Sequence, residues 1–451
     1  MKIVLVGAGS AQFGCGILGD IFNGKRLAGS EIVLHDINPV TMGKVLETAR
    51  AFIAANRLDF TVSATTDRKA AFKGASFIIS SIEVGNRFEL WDEDWKIPMQ
   101  YGAKQVYGEN GGPGGVFHSL RIIPPILEIV ADAMEICPDA YIFNFSNPMT
   151  AIVTTVKRAF PRARFIGICH EIGWLTRWLP PILGMESREY RFRAAGLNHF
   201  SCLLEIKEKK TGKDLYPEVR RKAPGFFERE PGYSDMLDVY RATGKLEEAE
   251  QFEKGGNGGK SAYEWADRKI VKFMLENYGL LPITTDSHFG EYLGWAWDVA
   301  DHRGILDFYD IYRIMLGQNA RYDIKLQTSE RVVPIIEGIL GDEGFEEGAV
   351  NVLNDGLIPD LPPWIAVEVP ALIDAKGVTG IPVKDVPKGY LALLRSYCGV
   401  YDLTAEAILG KKKSLVIQAI LANPVMHRAT SVAPMVDRMI ARQDKWLGYL
   451  K

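Results

Sequence analysis

Four apolar residues run straight into a glycine pair at the head of this chain: Ile3-Val4-Leu5-Val6, then Gly7-Ala8-Gly9-Ser10. No other stretch constrains the fold as strongly. An unbroken apolar run suits a parallel strand buried on both faces. Glycines directly after it, ahead of a segment able to become a helix, make a loop where backbone N–H groups meet a pyrophosphate at the positive end of that helix. The six-residue glycine pattern of dinucleotide sites is incomplete, because Gln12 occupies its last position and Gly14 comes two residues late. The next apolar segment, Glu31–Leu34, ends in His35-Asp36-Ile37-Asn38. An acidic residue at that strand tip is placed to accept hydrogen bonds from an adenosine ribose, with capping of a helix near Pro39 as the competing role. No Arg or Lys follows Asp36 closely, which selects NAD over NADP.

At 451 residues the chain exceeds what one core ordinarily fills, so two domains are expected, 1–190 and 191–451. A formal net charge of −3 without a basic block argues against nucleic acid or an anionic membrane surface as partner. No apolar stretch reads as long as the ~18 residues of a membrane span. The N-terminus reads as strand and glycine loop rather than signal peptide. Five scattered cysteines suit a reducing cytoplasm and offer no disulfide framework.

Further apolar runs at 60–64, 76–81, 140–145 and 164–168 alternate with helix-length segments such as Ser119–Ile136. Such alternation predicts an α/β fold, a Rossmann-type doubly wound parallel sheet over residues 1–190. From Arg191 the pattern changes to two strands, 191–197 and 202–207, a turn at Gly212-Lys213, and then mostly helical periodicity. An α+β, largely helical substrate domain is expected there. Gly255-Gly256-Asn257-Gly258-Gly259 predicts a mobile loop.

Ligands of doubly wound sheets bind beyond the carboxyl ends of the strands. Five constellations fall there or in the loops between strands: Glu83 with Arg87 and Asp92-Glu93; Gly108-Glu109-Asn110 with a glycine-rich run to Gly115; Asn144 and Asn147-Pro148; Cys169-His170-Glu171; and Asn198-His199. The run at 108–115 looks too glycine-rich for a regular element and suited to close backbone approach to a ligand. Glu83 and Asn144 are candidates for cofactor contacts. Thiolate and imidazole suit a borderline divalent ion, so Cys169 with His199 is a candidate metal pair, although two such residues are more often packed core. Asn147-Pro148 equally suits a strand-to-helix cap.

Taken together, Gly7-Ala8-Gly9-Ser10, Asp92-Glu93, Gly112-Pro113-Gly114-Gly115, Asn144-Phe145-Ser146-Asn147-Pro148, Cys169-His170-Glu171 and Gly196-Leu197-Asn198-His199 resemble glycoside hydrolase family 4. Those glycosidases depend on NAD and a divalent metal, usually manganese, and have a lactate/malate dehydrogenase-like fold. They depart from the two-carboxylate rule for glycosidases. The resemblance implies oxidation of the sugar at C3 with NAD as hydride acceptor, deprotonation at C2, elimination of the C1 substituent, water addition and re-reduction. It implies Cys169 and His199 as ligands of a cation that holds O2 and O3, and Asn147 on a substrate hydroxyl. His170 or Glu171 would be the leaving-group acid, and Asp286 or Tyr292 the C2 base, with a helix cap ahead of 289–296 as the other role for Asp286. The Cys-His-Glu triplet with Ile172 resembles the α-galacturonidase subgroup, so Arg87 is expected to face the sugar carboxylate, with Lys104 a second candidate and Glu109 a further substrate contact. α-Glucuronides or neutral α-glucosides and α-galactosides are the alternatives within the family, and a 2-hydroxyacid dehydrogenase is the rival outside it. Family habit implies a homodimer or homotetramer.

Overall fold

Every strand expected in the first half forms: β1 (Lys2–Val6), β2 (Ser30–His35), β3 (Phe60–Thr65), β4 (Phe77–Ser80), β5 (Tyr141–Asn144) and β6 (Arg164–Gly167). The computed structural model describes all residues except 254–258, 319–320 and 342–343. These strands pair in parallel in the order β3-β2-β1-β4-β5-β6. The order reverses between β1 and β4, which opens a crevice above their carboxyl ends. Alternate residues of β1 feed opposite core layers, Val4 and Val6 on one face and Ile3 and Leu5 on the other.

The sheet does not stop at residue 190. β7 (Tyr190–Leu197) and β8 (Phe200–Glu208) form a hairpin, β9 (Leu281–Pro282) adds to it, and β10 (Phe345–Leu353), β11 (Ala366–Asp374) and β12 (Gly377–Gly380) follow. The order continues antiparallel as β6-β10-β11-β7-β8-β9, with β12 on β11. The joints are narrow: Asn351 pairs with Gly167 between β10 and β6, and Glu368 with Gly196 between β11 and β7. One core layer packs Ile335, Ile336 and Val350 from the second half with Ile3 and Leu5 from the first. Helices fill the rest of the second half, including Lys388–Gly410, Lys413–Leu421 and Val432–Arg442.

Four expectations need correction or restriction. Gly112-Pro113-Gly114-Gly115 is not a loop but the first turn of a helix, Gly112–Ile136, with proline near its start where a missing N–H costs nothing. Its glycines serve contact within the chain: a Cβ on Gly114 would lie 2.7 Å from the Gly108 Cα, and one on Gly115 2.3 Å from the Asn110 carbonyl carbon. By length and composition that helix could cross a membrane, contrary to the sequence reading, yet 72% of its most apolar window is buried inside the fold. Arg121 in its middle is buried and pairs with Asp94 at 2.7 Å, as suits a core helix. The helix expected over 289–296 breaks into short pieces, Asp286–Phe289, a 3-10 turn Gly290–Tyr292, and Ala296–Val299. Of the glycine run expected to be a loop, 255–258 lie outside the described residues.

Candidate active site

The glycine loop is shaped by steric necessity. Gly7 has φ +83°, and a Cβ there would sit 2.0 Å from the Ser81 carbonyl oxygen. Gly9 donates its N–H to the Asp36 carboxylate at 2.7 Å. Gly14 fills the role of the displaced third glycine: a Cβ would lie 2.3 Å from the Ala8 carbonyl oxygen, so helix Ala11–Asn23 can press onto the loop. Ser10 caps that helix, its Oγ accepting from Phe13 N. Asn38, and not Asp36, caps the next helix, Pro39–Asn56. Asp36 therefore stands on the glycine loop, clear of the competing capping role.

Beyond β4, burial raises the Glu83 carboxyl, but His118 and Arg87 outweigh it and hold the group at about 2. Glu83 is thus an anion paired within the protein. Beyond β5, the Asn144 amide donates to Ser146 O at 2.8 Å, while its oxygen has no partner. The oxygen of Asn147 is also buried without a partner. Pro148, after a cis bond, heads helix Met149–Ala159, and no side-chain cap bond forms there. Asn147 is free of capping duty and has an unused acceptor.

Cys169 follows β6, and His199 sits in the two-residue turn between β7 and β8 with φ +58°. Their Sγ and Nε2 atoms are 3.3 Å apart, both residues buried. Burial, with Glu368 and Glu171 nearby, pushes the Cys169 thiol well above its usual range. Burial also pushes the His199 imidazole well below its own. A neutral imidazole is the ligating form, and a cation binding here would displace the thiol proton and take the sulfur as thiolate. An ion about 2.3 Å from sulfur and about 2.1 Å from nitrogen, with a ligand angle between about 90° and 110°, separates the two atoms by about 3.1–3.6 Å. The observed spacing fits. Among the described residues no set of three or more His, Cys, Asp or Glu is arranged to hold an ion, so the rest of a coordination shell has to come from elsewhere.

The hairpin turn itself is pinned. Asn198 N donates to Thr150 Oγ1 at 3.0 Å, and the Tyr292 hydroxyl donates to Asn198 O at 3.1 Å. His170 stands at the opening with its side chain 74% exposed, and Glu171 beside it is buried with one oxygen unpartnered.

Both base candidates are occupied. Asp286 is fully buried and accepts backbone N–H from Lys269, Ile270 and Asp301 at 3.0, 2.8 and 2.9 Å, so it caps the helix Lys269–Asn277. Tyr292 lies beneath the hairpin turn, stacked on Phe200 at 4.8 Å, with its hydroxyl committed to Asn198. His288, two residues after Asp286, is the least buried residue of this segment, with its side chain 12% exposed. Its ring lies 4.5 Å from that of His199, and its Nδ1 is 3.7 Å from Glu109 Oε2.

Arg87 is not an open cation. Glu109 lies 3.3 Å from it and Glu83 3.7 Å, and its guanidinium lies 4.1 Å from the centre of the Trp91 ring. Lys104 is exposed. Sequence reading singled out neither His288 nor Glu368. His288 lies between the two base candidates Asp286 and Tyr292, and a single carboxylate in the apolar run Ala366-Val367-Glu368-Val369 was itself a signal.

A family model described as "Family 4 glycosyl hydrolase" matches residues 2–184, and that of the family's C-terminal domain matches 194–426. An α-glucosidase of Erwinia rhapontici is 58% identical over 100% of this chain and 99% of its own. An α-galactosidase of Bacillus subtilis (strain 168) is 32% identical over the full length of both. An α-galacturonidase of Thermoanaerobacterium saccharolyticum reaches only 25%, over 99% of this chain and 96% of its own. The comparisons therefore favour the neutral α-glucosidase alternative over the uronide expectation. A 6-phospho-α-glucosidase from gut microorganisms, solved with NAD and Mn²⁺, shares the fold at TM-score 0.74 and 22% identity, covering 99% of this chain and 98% of that one.

Proposed function

The chain belongs to glycosyl hydrolase family 4 and is an α-glycosidase; from that premise we propose that it hydrolyses neutral α-glucosides with NAD and a divalent cation such as Mn²⁺. The observation that carries the substrate class is the double neutralisation of Arg87 by Glu83 and Glu109. A cation already countered by two carboxylates offers little to a sugar carboxylate or phosphate. The α-glucosidase relative supports the same reading.

Gly7, Gly9, Ser10 and Asp36 would hold the dinucleotide, and Cys169 with His199 the cation. When bound, the one supplies a hydride acceptor and the other Lewis-acid polarisation of vicinal oxygens. Around them the chain contributes placement and proton handling. The Asn147 oxygen accepts from a sugar hydroxyl. His288, backed by Glu109, takes the C2 proton, replacing Asp286 and Tyr292 in that role. His170, at the opening, donates to the departing oxygen, whereas buried Glu171 lies behind the metal pair. The scattered, fully reduced cysteines suit a cytoplasmic setting.

A panel of p-nitrophenyl α-glycosides, assayed with Mn²⁺, NAD⁺ and a reductant, tests the proposal. The glucoside is expected to give the highest kcat/KM, above the galactoside and far above the galacturonide and the 6-phosphoglucoside. A higher value for either anionic substrate overturns it.

A further inference from the structure

Glu368 is fully buried at the joint where β11 meets β7, and three side chains donate to it. Asn198 Nδ2 reaches one oxygen at 2.8 Å and Asn351 Nδ2 the same oxygen at 3.3 Å, while Ser201 Oγ reaches the other at 2.7 Å. These donors come from the β7–β8 turn, from β10 and from β8. A carboxylate without water here is costly unless its acceptor sites are filled, and this one is filled. Asn198 is also the neighbour of His199 in the two-residue turn between β7 and β8. The Asn198 side chain thus reaches Glu368 while its backbone runs directly into His199 of the candidate metal pair. The turn needs such an anchor, because His199 holds a left-handed conformation that disfavours a side chain.

We propose that Glu368 is a positioning residue for the cation site, a strut that acts through Asn198 to fix the His199 imidazole opposite Cys169. Backbone bonds to Thr150 and Tyr292 hold the turn in place, and Glu368 sets the orientation of the Asn198 side chain. The inference rests on the metal-dependent reading above. Outer-shell partners of this kind govern metal affinity by about 10–100-fold.

Replacement by glutamine separates shape from charge. In Glu368→Gln the amide oxygen keeps Asn198 and Asn351. The amide nitrogen donates to Ser201 Oγ, whose hydroxyl already has a second acceptor in Leu197 O at 3.1 Å. Mn²⁺ alone is the probe, titrated into full-length protein and followed by electron paramagnetic resonance of the free ion, with NAD⁺ binding measured in parallel. Glu368→Ala is expected to weaken Mn²⁺ about 10–100-fold and leave NAD⁺ affinity unchanged, with Glu368→Gln close to wild type. A folded Glu368→Ala protein that binds Mn²⁺ normally overturns the inference, as does a Glu368→Gln protein as impaired as the alanine variant. Should Glu368→Ala not fold, Asn198→Ala removes the other end of the strut and must show the same selective loss. A wild-type protein that takes up no Mn²⁺ would instead remove the metal from the proposed function, and this inference with it.

Discussion

The proposed dinucleotide end of the crevice and the proposed cation end are built on opposite plans. The first uses Gly7 to Asp36, two adjacent parallel strands and the helix between them, and its central contact joins Gly9 to Asp36. The second gathers Cys169, Asn198-His199, His288 and Glu368 from separate segments, with Asn198 and Glu368 170 residues apart in the chain. A site made within one βαβ unit is fixed by local sterics, through glycines that cannot carry a Cβ. A site made across the sheet is fixed by register and buried polar bonds. Such a difference should make the two ends energetically separable.

The sharpest break is Cys169→Ser. It should lower kcat/KM by about a thousandfold or more, since several kcal/mol of Lewis-acid stabilisation depend on the ion, while NAD⁺ affinity by fluorescence titration stays within about twofold. A parallel loss of NAD⁺ binding would show that the ends are coupled. Asp36→Ala is the reverse case. It should weaken NAD⁺ by about 1.5–3 kcal/mol for lost charged hydrogen bonds and leave Mn²⁺ affinity alone.

Asp286→Ala separates cap from base. Loss of a helix cap predicts about 1–2 kcal/mol less stability in urea unfolding, with kcat/KM of the folded protein within about threefold. Catalytic collapse at unchanged stability would return Asp286 to chemistry. The smallest effect concerns pH. Burial pushes the Asp267 and Asp286 carboxyls up to about 7, against about 3.9 in an unfolded chain. The folded state then holds protons that the unfolded chain has released, so this contribution to stability falls as pH rises from about 4 to 7 and levels off above. The melting temperature should therefore drop between pH 5 and 8, and less so in Asp267→Asn. An unchanged slope would exonerate Asp267.

The same contrast explains what was legible in the sequence. Strands β1 to β6 declared themselves because each is a short apolar run between helix-length segments. Cys169 and His199, which the structure brings within 3.3 Å, stood out as a candidate pair because both sit at strand ends. The C2 base expected at Asp286 or Tyr292 is proposed instead at His288, because which face of a four-residue helix turns inward depends on what packs around it. Glu368 could not be assigned to the cation end, because its pairing with Gly196 is a matter of long-range register. The Cys-His-Glu triplet suggested an anionic substrate, and Arg87 was matched to it because sequence shows a charge without showing its counter-charges.

The unbroken ladder from β3 to β9 has a further consequence. A polypeptide cut near residue 190 would leave β6 without β10 and split the core layer that holds Ile3 and Leu5 together with Ile335 and Val350, so neither fragment should fold alone. Ancestors of such a protein could not have traded one lobe for another like interchangeable cassettes. New specificities would have to arise in place, by exchanging side chains around a frame that tolerates no hinge.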